Sequence, residues 1–200
     1  MKNLLERGKK FVRELSESLC RKINERLFSD EKITELIVDT LNAQLDLCDE
    51  LSPDIKIEYD IIDDFTAEDY AYMESQEKGA TADRLLAVTS LYDANYYLIQ
   101  FALEAMKDAA FKLWPWQVKR DIQGTVKHEA FHVRQYNYIC QRGGLEAIDR
   151  VVDYMTETPY EDNILEAGAY LYQWFDYVQD FESCFEQFII APTEAEQPAA

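Results

Sequence analysis

His128-Glu129-Ala130-Phe131-His132 lies in a segment, Gly124 to Gln135, whose residues suit a helix on both sides of it. At 3.6 residues per turn, a spacing of four stacks the two imidazoles on one helix face with Glu129 beside them. Two neutral imidazoles so placed can fill two corners of a zinc tetrahedron, and the neighbouring carboxylate can work on a water held there. His128 and His132 are the only histidines in the 200 residues. Two histidines scattered at random over this length would fall four apart, with glutamate after the first, about once in a thousand trials.

That inventory restricts the metal chemistry. Glu129-x-x-His132 is also the E-x-x-H unit of di-iron carboxylate bundles, but such sites need a second unit from another helix, and no histidine is left to supply it. A catalytic zinc takes three protein ligands and a water, so the third ligand falls to a carboxylate. Glu157, Glu161, Asp162 and Glu166 are the acids that a folded-back helix can offer. Glu161 has another role open to it, at the third helical position of the T-x-x-E capping box begun by Thr158, with Pro159 at the first. Glu166 falls mid-helix in Leu165-Glu166-Ala167-Gly168-Ala169, where small neighbours allow close approach. The two are five residues apart, about 140° around a helix, and cannot both face one ion; the small flanks favour Glu166 over Glu161.

The motif helix should run from Pro115 to Arg142, broken from the preceding helix (Leu103–Leu113) by Trp114-Pro115 and closed by Gly143-Gly144. Gly124 inside it marks a kink or a closely packed neighbour. Leu145–Met155 reads as a connecting helix, and an aromatic-rich helix should start at Thr158-Pro159 and extend toward Phe188. Tyr170, Trp174, Tyr177 and Phe181 read as its packed stripe. Upstream, period-two alternation predicts a strand over Asp54–Ile62, and Arg84–Leu91 and Asn95–Phe101 read as two strands joined across Tyr92-Asp93-Ala94-Asn95. Thr66 and Asp69 suit the start of a short helix over 67–78, closed by Gly79. Two amphipathic helices, one reaching Leu27 and one capped by Ser29 or Asp30, should pack as scaffold. The expected fold class is α+β: a small, mainly antiparallel sheet packed against the motif helix, with N-terminal and C-terminal helices. One domain should span 1–190, its N-terminal helical region covering about 1–50, with a disordered acidic tail at 191–200.

Thirty-nine acids against 20 basic residues give a net charge of −19. Residues 1–26 carry eight basic side chains and four acids, so the rest of the chain holds −23. So negative a body repels phosphate backbones, and nucleic-acid binding is disfavoured. The basic N-terminal helix could meet a membrane surface or an acidic partner; docking on the chain's own acidic body is the expected outcome. Cys20, Cys48, Cys140 and Cys184 lie far apart, form no C-x-x-C pair and read as buried thiols. No apolar leader and no run of 18 apolar residues is present, so the expected setting is cytoplasmic, without a membrane span.

The motif His128-Glu129-Ala130-Phe131-His132, together with Pro159-Tyr160-Glu161 through Glu166-Ala167-Gly168-Ala169-Tyr170, resembles the zincins, zinc peptidases of the H-E-x-x-H type, and among them the gluzincins, whose third ligand is a glutamate on a later helix. The resemblance covers roughly residues 84–180 and extends to SprT-like relatives, although the cysteine-rich zinc ribbon often found there is absent. It implies a zincin-like fold, a Zn2+ ion on His128, His132 and Glu166, and hydrolysis of a peptide or protein substrate with Glu129 as general base. The substrate would lie along an exposed sheet edge, 84–91 or 95–101. Tyr170, four residues after Glu166 and on its face, is the candidate oxyanion donor. The alternative is a non-catalytic acidic interaction protein that mimics nucleic-acid charge.

Overall fold

The computed structural model describes residues 2–48, 51–76 and 85–190. Among them the elements run α1 (Lys2–Leu27), α2 (Asp30–Asp46), β1 (Lys56–Ile62), α3 (Ala67–Gln76), β2 (Ala87–Asp93), β3 (Tyr96–Ala102), α4 (Leu103–Ala110), α5 (Pro115–Glu157), α6 (Ile164–Phe175) and α7 (Phe181–Ile189). A 3-10 turn at Tyr160–Asp162 precedes α6. The class is α+β, as the alternating periodicities imply. Gly79, Arg84 and the acidic tail at 191–200 lie outside the described residues.

The sheet is mixed rather than mainly antiparallel. Its order is β1-β3-β2: β2 and β3 form an antiparallel hairpin, and β1 pairs with β3 in parallel, Lys56 opposite Tyr96 through Ile62 opposite Ala102. The reason is burial. Tyr97, Ile99 and Phe101 on β3 are fully buried, so β3 takes the centre. The charged alternation of Lys56, Glu58 and Asp60 suits an edge, where charge blocks further pairing. Lys56 and Glu58 answer each other there at 2.6 Å, and the Tyr96 hydroxyl donates to Glu58.

The elements around α5 form one continuous apolar core. Ile33, Ile37 and Leu41 on α2, the three β3 residues, Val118, Ile122, Val126, Phe131 and Ile139 on α5, and Phe185 on α7 are all within 1% of full burial. Each such side chain contributes roughly 1.5–3 kcal/mol. Phe131 stacks on Tyr172 of α6 at 4.7 Å and meets Phe181 of α7 edge-on at 5.5 Å. Trp114 N donates to Gln117 Oε1, and Pro115 stands at the first position of α5, where its missing N–H is not needed. α5 breaks where two glycines predict it: Gly144 has φ +66, a conformation that costs glycine nothing. Gly124 leaves α5 unbroken and admits Gln173 of α6, which a Cβ would approach to 3.1 Å. No disulfide joins the four cysteines, and Cys20, Cys48 and Cys140 are buried.

Two expectations fail. The aromatic helix does not run to Phe188, because Asp176 adopts the left-handed conformation (φ 52) and ends α6, leaving Tyr177 and Val178 on an exposed linker before α7. Tyr170 and Tyr177 are therefore exposed and Phe181 buried on another helix, so these residues make no single stripe. Nor does α1 dock along its length. Its inner part is held by Cys20 and by Asn24, whose Nδ2 donates to the carbonyls of Phe111 and Leu113, while Arg21 pairs with Asp108. Farther out, Phe11 and Val12 are 66% and 65% exposed, and the side chains of Arg13 and Glu14 71% and 57%. Four consecutive residues at 100° steps sample the whole circumference, so this half of α1 stands free of the body among the described residues.

Candidate metal centre

His128 and His132 sit on the buried face of α5, 9% and 5% exposed. Their Nε2 atoms are 3.1 Å apart. Glu166 Oε2 lies 3.1 Å from His128 Nε2, and Glu166 Oε1 lies 3.1 Å from His132 Nε2. All three residues can place a ligand atom within 4.8 Å of the other two. Of the downstream acids, only Glu166 is in this cluster; Glu157, Glu161 and Asp162 are exposed.

Glu166 reaches the cluster by a route different from the one its sequence suggests. Thr158 does not start a helix: its N–H bonds Tyr154 O and closes α5. Asn163 is the true cap of α6, its Oδ1 accepting from Leu165 N at 2.9 Å. Glu166 thus stands in the first helical turn rather than mid-helix. There the helix dipole and the unpaired N–H groups favour a negative charge. Glu161 belongs to the 3-10 turn and makes no capping box. Gly168 provides the close approach that its position suggests: a Cβ on it would fall 2.6 Å from Gln179 Cδ.

The electrostatics are those of a cation site. Burial works against charge on His132, but the Glu166 carboxylate, with help from Glu129 and Gln135, outweighs it and pushes the ring up to about 9. Burial likewise opposes ionisation of Glu166, yet the two imidazoles beside it hold its carboxyl well below the usual range. The donor set fits zinc on two counts. Two imidazole nitrogens and a carboxylate are a recognised three-ligand catalytic set, and metal–ligand bonds of about 2.0–2.1 Å give tetrahedral edges of about 3.3–3.4 Å, close to the 3.1 Å separations found here.

Glu129, 6% exposed, lines the same cleft of about 760 Å3. The Thr89 hydroxyl on β2 donates to Glu129 Oε2 at 2.8 Å, with the Glu129 main-chain oxygen 3.1 Å away. Residues 85–92, running through β2, form one wall of the cleft. Because β3 is central, β2 is the strand of the hairpin with an outer edge among the described residues; the 95–101 alternative is removed. Tyr170 does line the cleft, 58% exposed, as do Tyr136 and Tyr160, so position alone does not single it out as an oxyanion donor. Tyr136 stacks on the His132 ring at 5.8 Å.

Sequence reading missed Thr89, Gln135 and Asn163. Gln135 Oε1 lies 2.8 Å from His132 Nδ1. A Gln three residues after His132 shares its helix face, a signal available in advance; Thr89 is brought in only by the sheet. No described helix is long and apolar enough to cross a membrane. Comparison of the chain with protein-family models, curated proteins and solved structures finds no match.

Proposed function

We propose that this chain is a zinc-dependent metallopeptidase of zincin type, a hydrolase acting on peptide or protein substrates in the cytoplasm. The observation that carries the reading is the convergence of His128, His132 and Glu166 in one cleft with a buried, oriented glutamate and a strand edge. His128, His132 and Glu166 would hold the ion. When bound, zinc supplies Lewis acidity, lowering the pKa of a coordinated water toward ~7 and polarising a carbonyl.

The chain's own groups do the remaining work. Glu129 accepts the water's proton and returns it to the leaving amine, as a general base and then a general acid. Thr89, donating to Oε2, fixes that carboxylate and leaves Oε1 for the proton. The outer edge of β2 offers main-chain donors and acceptors to an extended substrate segment, placing its carbonyl beside the cluster. Burial of both histidines and Glu166 limits water around the reacting atoms and strengthens each electrostatic contact.

Glu129→Gln tests the reading. It should keep the fold and about one equivalent of zinc while cleavage of an unfolded protein substrate falls at least about a hundredfold. Cleavage at the parent rate, with zinc bound, would overturn the mechanism.

A further inference from the structure

Gln135 is fully buried, and its amide is clamped on three sides. Its Nε2 donates to Leu165 O at 3.0 Å and to Gln179 Oε1 at 3.0 Å. Gln179, on the linker between α6 and α7, donates through its own Nε2 to Ile164 O at 3.0 Å. Main-chain carbonyls can only accept. Ile164 O therefore fixes which end of Gln179 is the amide nitrogen, and that leaves Gln179 Oε1 facing Gln135. Leu165 O and Gln179 Oε1 in turn fix Gln135, whose Oε1 must then face His132. An oxygen there requires His132 Nδ1 to carry a proton, since Nδ1 lies 2.8 Å away and only a donor can meet it.

From this chain of obligatory donors and acceptors we propose that Gln135, held by the Leu165 carbonyl and by Gln179, which Ile164 O orients in turn, is the positioning residue that sets the tautomer and ring orientation of His132, leaving its Nε2 lone pair for the metal. The proposal rests on the metal-centre reading above. It joins three elements: the ligand helix α5, the first turn of α6 that carries Glu166, and the linker to α7. Gly168 is the point where they touch, because a Cβ there would fall 2.6 Å from Gln179 Cδ and 3.0 Å from Gln135 Nε2. Bonds from a ligating histidine to its outer partner fix ring orientation and raise ligand basicity, and their loss costs about ten- to a hundredfold in metal affinity.

The test measures zinc affinity by chelator competition, together with the imidazole N–H spectrum of the zinc-loaded protein. The parent should show a slowly exchanging Nδ1–H resonance from His132. Gln135→Leu should weaken zinc binding about ten- to a hundredfold and lose that resonance to exchange. Gln179→Leu, at a half-buried position, leaves the Gln135 and His132 side chains themselves unaltered; it should shift the same resonance and produce a smaller loss of affinity. A merely structural role would leave the His132 proton unmoved in a folded variant. Parent affinity and an unchanged resonance in Gln179→Leu, and in Gln135→Leu where it folds, would overturn this inference while the metal centre stands. A parent that binds no zinc overturns the metal centre and this inference with it.

Discussion

In metal-free protein the cluster should make stability fall as pH rises. His132 is held up to about 9 in the folded chain, against about 6.5 when unfolded. Burial alone would lower it; the Glu166 carboxylate, by charge and by hydrogen bond, reverses the sign. A group whose folded pKa is raised binds its proton more tightly in the native state. Its contribution is fully present below about pH 6.5 and is lost as pH rises through about 9. At 1.36 kcal/mol per unit the loss approaches about 3 kcal/mol, equivalent to roughly 6–12 °C in Tm for a chain of this size. Urea unfolding with chelator present, at about pH 6 and about pH 9.5, reads it directly. Glu166→Gln serves as control, since it removes the largest favourable partner and should flatten most of the slope. Saturating zinc should reverse the dependence, because metal and proton compete for the same nitrogens. A parent whose stability is equal at the two pH values, or a Glu166→Gln protein that falls as steeply, would refute the reasoning.

Three further outcomes follow from the same geometry. Glu166→Gln should weaken zinc binding more than about a hundredfold, the upper range for loss of an outer partner alone, whereas Glu161→Gln, on the exposed turn, should titrate like the parent. Thr89→Val removes the hydroxyl that holds the Glu129 carboxylate; with a charged bond worth about 1.5–3 kcal/mol, kcat/KM should fall about ten- to a hundredfold at unchanged zinc content. Asn163→Ala deletes the cap of α6 and should cost about 1–2 kcal/mol in denaturant unfolding, with weaker zinc binding because Glu166 sits in the turn that the cap secures.

What could be read in advance was what depends on local spacing. His128 and His132 four apart on a helix, the break at Gly144, the Thr66–Asp69 cap and the β2–β3 hairpin all follow from neighbours in sequence. The sequence favours Glu166 over Glu161 for two reasons, and only one holds. The small residue at Gly168 does admit a close neighbour, but the capping role given to Glu161 belongs to no residue pair there, because Thr158 is spent on ending α5. A Thr-Pro dipeptide followed by an acid is ambiguous between a stop and a start, and the arbiter was Asn163, five residues on. The parallel seat of β1 was not legible either. Its alternation marks one wet face but not which strand it joins; that choice depends on the buried faces of Tyr97, Ile99 and Phe101 in another segment. Thr89 is of the same kind, a residue whose role exists only once β2 lies along α5.

The free half of α1 divides the molecule into two levels of stability. An isolated helix of under about 15 residues is marginal in water, and the exposed pairs Lys10–Glu14 and Arg13–Glu17 add only about 0.3–0.5 kcal/mol each. Its amides should therefore take up deuterium by local fraying, long before those of Ile33, Ile37 and Leu41, which must wait for opening of the core. Among the described residues, a protease that cuts after basic residues should find Lys9, Lys10 and Arg13 first. The shortened chain would keep Cys20 and Asn24, the anchors of α1, and with them the whole of the cleft.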